Sequence, residues 1–262
     1  MAFPLIFDIF AFVVGAVVGS FLNVCIWRLP RHESIVFPAS HCPNCNYKIP
    51  FYDNIPLLSY LILGGRCRGC RTRISPQYPL VELINGLLTL ALFLKFGPGL
   101  TFLVLFVFVS ALVAITFIDL EHQIIPDVIS LPGIPLGIAV SFFLPWLGWK
   151  NSLLGILLGG GSLLVVAYAY EFFTKNEGMG GGDVKLLAMM GAFLGWRSVP
   201  FIIFAASLAG SVIGLTVMAI QKKDSKLPIP FGPFLAFGAL LYIFYGRQII
   251  TWYFGLGGRV GG

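Results

Sequence analysis

The chain has 262 residues, of which 58% are hydrophobic and only 11% charged, with a mean hydropathy of +0.91 and a formal net charge of +6. Soluble domains carry about 25% charged residues. The composition therefore excludes an ordinary soluble enzyme, a disordered chain and a disulfide-knit secreted domain, and describes an integral membrane protein.

Apolar residues run in long blocks, which excludes the in-and-out alternation of an outer-membrane barrel. About 20 apolar residues at 1.5 Å each cross the hydrocarbon, and eight blocks are candidates: 4–27, 80–96, 100–118, 128–147, 151–173, 183–196, 200–220 and 231–254. The expected fold is an all-α polytopic membrane protein of about eight transmembrane helices with a small zinc-ribbon-like loop domain. Residues 1–27 form the first span, 28–79 the loop domain and 80–262 the remaining membrane domain. The first block lacks the charged start and small-residue exit of a cleavable signal peptide and reads as a permanent anchor.

After the first block, residues 28–79 hold Arg28, Arg31, Lys48, Arg66, Arg68, Arg71 and Arg73. With Lys175 and with Lys222, Lys223 and Lys226 between later blocks, they place this loop in the cytoplasm by the positive-inside rule. Eight spans then put both termini outside. The loop cations are sufficiently explained as topology determinants and contacts with anionic membrane lipids; no nucleic-acid recognition element accompanies them. Within the loop, Cys42-Pro-Asn-Cys45 and Cys67-Arg-Gly-Cys70 each present two thiolates, and two such turns make a tetrahedral four-cysteine site for structural Zn2+. A reducing cytosol disfavours disulfides there. A metal would also stabilise a loop too small to build much core. Cys25, in the first block, reads as packing.

Glu82 opens the second block, where a helix N-terminus favours negative charge, and with Asn85 it also has the option of facing a substrate. Asp119 closes the third block. A carboxylate at a helix C-terminus opposes the dipole, so Asp119 lacks a capping role and gains a functional one. Asp127 follows Pro126 at the start of the fourth block, a natural N-cap position. Asp183 begins the sixth block behind Gly180-Gly181-Gly182, and three glycines there imply close approach of another backbone. By the topology, Asp119 and Asp183 lie at the same cytoplasmic depth on different helices. Two close carboxylates share one proton, so one accepts a proton from water while the other polarises a carbonyl, the aspartic-protease division of labour. A proton-relay pair in a transporter with a zinc-stabilised loop is the alternative from the residues alone.

GSFLNVCIWRLP (19–30), the paired C-x-x-C turns, SPQYPLVE (75–82), FIDLEHQIIPD (117–127) and GMGGGDVKLLAMMGAFLG (178–195) together resemble type IV prepilin peptidases. The resemblance implies a bifunctional bacterial inner-membrane enzyme. Such enzymes cleave the basic leader from type IV prepilins or type II secretion pseudopilins, after a glycine and on the cytoplasmic side. They then methylate the new N-terminal phenylalanine with S-adenosylmethionine. It implies Asp119 and Asp183 as the catalytic pair, with Gly180 and Gly182 letting the substrate backbone approach. Methylation depends, by the same resemblance, on the cysteine loop, with Asn23, Glu82 and the DNIP stretch as contributors. No G-x-G-x-x-G motif marks a cofactor site.

Overall fold

A computed structural model describes residues 4–175, 180–221 and 230–257. Among them the helices are α1 (Leu5–Arg28), α2 (Leu58–Ile62), α3 (Gln77–Phe96), α4 (Leu100–His122), α5 (Asp127–Ser141), α6 (Trp149–Thr174), α7 (Gly181–Leu194), α8 (Ser198–Gln221) and α9 (Gly232–Gly257). The described residues contain no strand, only the isolated bridges His41–Lys48 and Arg66–Arg73.

Every expected apolar block contains a helix. Six helices, α1, α3, α4, α6, α8 and α9, are long and apolar enough to cross a membrane, making this a multi-pass membrane protein. The other two are shorter than a span. α5 stops at Ser141, before the turns that carry Pro145, and its 15 residues reach about 22 Å against roughly 30 Å of hydrocarbon. α7 has 14 residues and is buried without a break from Leu186 to Leu194. Its apolar residues pack against α5 and α6.

The chain divides into two units, residues 1–118 and 119–262. In the first unit α3 packs along α1. Small residues bring these two helices together, the usual route to close packing in membranes. A Cβ at Gly15 would lie 2.5 Å from Thr89 Oγ1, and one at Gly19 2.7 Å from the Glu82 Cα. The Asn85 side chain donates to the Gly15 carbonyl at 2.8 Å, satisfying in the helix pair what lipid cannot.

In the second unit α7 packs between α5 and α6. Gly155 of α6 meets Gly191 of α7 backbone to backbone, Gly159 meets the Leu187 carbonyl, and Gly137 of α5 faces Ala192. The buried Ser152 hydroxyl donates to the Ala192 carbonyl at 2.7 Å. These contacts fix an antiparallel α6–α7 register that places Asp183 level with Leu163. From there α6 continues to Thr174, about 16 Å further at 1.5 Å per residue.

Candidate active site

Asp119 lies in the last turn of α4 with only 5% of its surface exposed. Its Oδ2 accepts the backbone N–H of Gly232, the first residue of α9, at 2.9 Å. This donor is an otherwise unpaired amide at a positive helix end, which suits a carboxylate. A Cβ at position 232 would sit 2.6 Å from the same oxygen, so the approach requires glycine.

Asp183 is half-buried in the first turn of α7, directly after Gly182. Ile125, in the turn after α4, wedges the arrangement. A Cβ on Gly182 would lie 2.9 Å from the Ile125 Cβ, and one on Gly232 3.5 Å from its Cδ1. The starts of α7 and α9 therefore close onto the end of α4 around one side chain.

The glycine run divides in use. Among the described residues, Gly180 has only its own neighbours near its Cβ position, 3.9 Å from Asp183 Oδ2, and Gly181 has nothing within 4 Å. At Gly182 a side chain would run into Ile125, so packing alone holds that position to glycine.

Asp127 does not cap α5. Pro126 occupies the N-cap position without a side-chain cap, and Asp127 is the first helical residue. Its carboxylate oxygens each lie 2.8 Å from Nζ of Lys185, on α7 two positions beyond Asp183. The competing acid of the motif is already neutralised by a cation.

Glu82 is not in the first turn of its helix either, because α3 starts at Gln77. Its Oε2 accepts the Leu57 amide at 2.8 Å, and the group is 8% exposed, so it holds the loop segment onto α3. Asn23 likewise donates to the Tyr78 carbonyl at 3.0 Å. Glu177, Asp224, Lys222, Lys223 and Lys226 fall outside the described residues.

In the first unit the sulfur atoms of Cys42, Cys45, Cys67 and Cys70 all lie within 4.8 Å of one another, placed to hold a metal ion. Cys42–Cys70 and Cys45–Cys67 are separated by 3.8 and 3.9 Å. A zinc tetrahedron with 2.3 Å bonds has edges of about 3.8 Å, which these two separations match. The two turns are equivalent: the Asn46 and Arg71 amides bond back to the Cys42 and Cys67 carbonyls, and both residues take positive φ. Hydrogen bonds with Thr72 and Asn44 pull the Cys70 thiol down to about 5, favouring the thiolate that binds metal. Asp53 receives Arg68 through two bonds, at 2.7 and 2.5 Å, tying the second turn to the DNIP stretch.

The sequence reading missed Gly232, Ile125 and Lys185. Pro230-Phe-Gly-Pro233 at the mouth of an apolar block is a helix-start signal, but its partner 113 residues away is a property of the fold alone.

Comparison with known proteins agrees with this layout. Residues 13–96 match the Bacterial Peptidase A24 N-terminal domain, and residues 106–215 match the Type IV leader peptidase family. Proteins named prepilin leader peptidase/N-methyltransferase align along nearly the whole chain. That of Pseudomonas putida is 36% identical over 94% of this chain and 93% of its own, and that of Aeromonas hydrophila is 36% identical over 95% and 94%. The Myxococcus xanthus protein is 44% identical over 81% of this chain and 64% of its own.

The chain belongs to the type IV leader peptidase family.

No solved structure matches it. Membership in a peptidase family leaves the transporter alternative without support.

Proposed function

We propose that this protein removes the basic leader of type IV prepilins or type II secretion pseudopilins and then N-methylates the new terminus, with Asp119 and Asp183 as the catalytic pair. What supports the peptidase reading is that Asp119 is buried against the Gly232 amide while Gly182, next to Asp183, closes on the same Ile125 side chain as Gly232. The third motif acid is bound to Lys185. A recessed scissile peptide would enter past Gly180 and Gly181. The ionised carboxylate removes a proton from water, and the protonated one gives its proton to the scissile carbonyl oxygen as the hydroxyl attacks. The tetrahedral adduct then breaks its C–N bond: the amine leaves with the proton taken from water, and one hydroxyl of the adduct returns its proton to the other carboxylate as the new carboxyl forms.

Cys42, Cys45, Cys67 and Cys70 would hold a structural Zn2+, closed by four sulfurs and without an open position for substrate. S-adenosylmethionine, when bound, supplies the methyl group. The setting is the bacterial inner membrane with the active site at the cytoplasmic face, where a basic leader meets an apolar helix.

Purified protein incubated with a prepilin and S-adenosylmethionine tests both activities by product mass. Loss of the leader and gain of one methyl are expected, with Asp119→Asn and Asp183→Asn each abolishing the first. Normal processing by either variant would overturn the assignment.

A further inference from the structure

From the sequence, residues 51–62 belong to a polar loop. Their placement says more. The Leu57 amide bonds to Glu82, which is five residues inside α3 and about 7 Å along its axis from Gln77. Asn54 and Pro56 line the same cleft as Val17, Ser20 and Phe21 of α1. Ser20 stands eight residues, about 12 Å, inside the Arg28 end of that helix. The segment thus rests against two membrane-spanning helices below their ends, not above them.

Its side chains sort accordingly. Leu58, Leu61 and Ile62 share one face of α2 by their spacing, and they are 55%, 72% and 76% exposed, with Phe51 beside them at 87%. Ser59 points inward, donating to the Tyr52 carbonyl and accepting the Ile55 amide, both at 3.0 Å. The amides of Leu58, Ser59, Leu61, Leu63, Gly64 and Gly65 are all bonded within the segment, and that of Leu57 is bonded to Glu82. Paired backbone polar groups with apolar side chains outside are what a lipid environment demands. The exposed cations Arg66, Arg71 and Arg73 follow directly, as in interfacial helices that meet anionic head groups.

We infer that residues 51–62 form an interfacial segment inserted in the lipid leaflet around the Arg28 end of α1, with Phe51, Leu58, Leu61 and Ile62 in contact with acyl chains. Through the Asp53–Arg68 pair, this inserted segment fastens the cysteine module to the membrane surface. The occupant is the bilayer because the segment packs on α1 and α3, both long and apolar enough to cross it, with its own amides paired and those apolar side chains left outside.

A photoreactive benzoylphenylalanine placed at Leu61 or Ile62, in nanodiscs of phosphatidylethanolamine and phosphatidylglycerol, tests the contact. Illumination should give phospholipid adducts at both positions and none at Thr72 in the second cysteine turn. Adducts only to a second copy or to an added pilin, or no adduct at all, would overturn the inference. Deuterium exchange of the unmodified protein in the same discs keeps the test independent of folding of the variants. Amides of Leu57 to Leu63 should be protected far beyond what a five-residue helix sustains in water. Exchange as fast as in the turn around Arg31–Glu33 would equally sink it.

Discussion

The amide of Gly232 and Oδ2 of Asp119 are hydrogen-bonded at 2.9 Å across 113 residues of sequence, and no side chain fits between them. The bond fixes the rotamer of a carboxylate whose proposed work depends on aim. Gly232→Ala should push Asp119 aside and lower kcat for leader removal by about 10²-fold, the scale on which ångström misplacements act. The KM for prepilin and methyl transfer to a pre-cleaved pilin should hold. A Gly232→Ala enzyme cleaving at the parent rate would show that the contact positions nothing.

Asp127 and Lys185 make a different forecast. Both are partly exposed, at 54% and 37%, and such pairs contribute about 0–1 kcal/mol. Asp127→Asn should therefore keep cleavage within about tenfold of the parent, while Asp119→Asn and Asp183→Asn lose it by several orders of magnitude. Comparing the three variants on one prepilin decides which motif aspartate is the acid. Inactivity of Asp127→Asn with full activity of Asp119→Asn would reverse the assignment.

Much of this fold is written locally. Apolar blocks long enough for lipid announce α1, α4, α6 and α8, and the spacing of Cys42, Cys45, Cys67 and Cys70 announces a four-sulfur cluster. Asp119 and Asp183 stand out because charge is so scarce that each carboxylate has to be accounted for. Other features depend on partners remote in sequence. The length of α7 is not legible because burial among helices and burial in lipid select the same residues. Glu82 resembles a dipole-stabilised acid because nothing local shows Leu57 reaching it. Gly182 and Gly232 share Ile125, and no single segment contains that fact.

Helix packing in the second unit gives a stability test. Gly155 and Gly191 touch backbone to backbone, and a Cβ on either runs into the other's carbonyl. Gly191→Ala cannot be absorbed by moving a flexible side chain; it must separate α6 from α7. We expect loss on the scale of overpacked cores, about 1–3 kcal/mol, read as a lower thermal midpoint in detergent. Gly161→Ala, which meets nothing within 4 Å among the described residues, should be neutral or slightly stabilising, since alanine favours helix. Equal effects of the two substitutions would refute the packing argument.

The cysteine module offers the last test. Asp53 grips Arg68, which stands between Cys67 and Cys70, and the guanidinium holds the Asp53 carboxyl below the usual carboxylate range. An acid with a lowered folded pKa contributes stability above its unfolded value and loses it as pH falls through the folded one. At pH 7 the pair is therefore read at full strength. Asp53→Asn or Arg68→Met should release Zn2+ to a chelator several-fold faster at that pH, because the second cysteine turn loses its tie to the 51–54 turn. The exchanged pair, Asp53→Arg with Arg68→Asp, should recover part of the retention. Release kinetics followed with a chromogenic chelator would measure all of this, and identical rates for parent and single variants would show that the module stands without the pair.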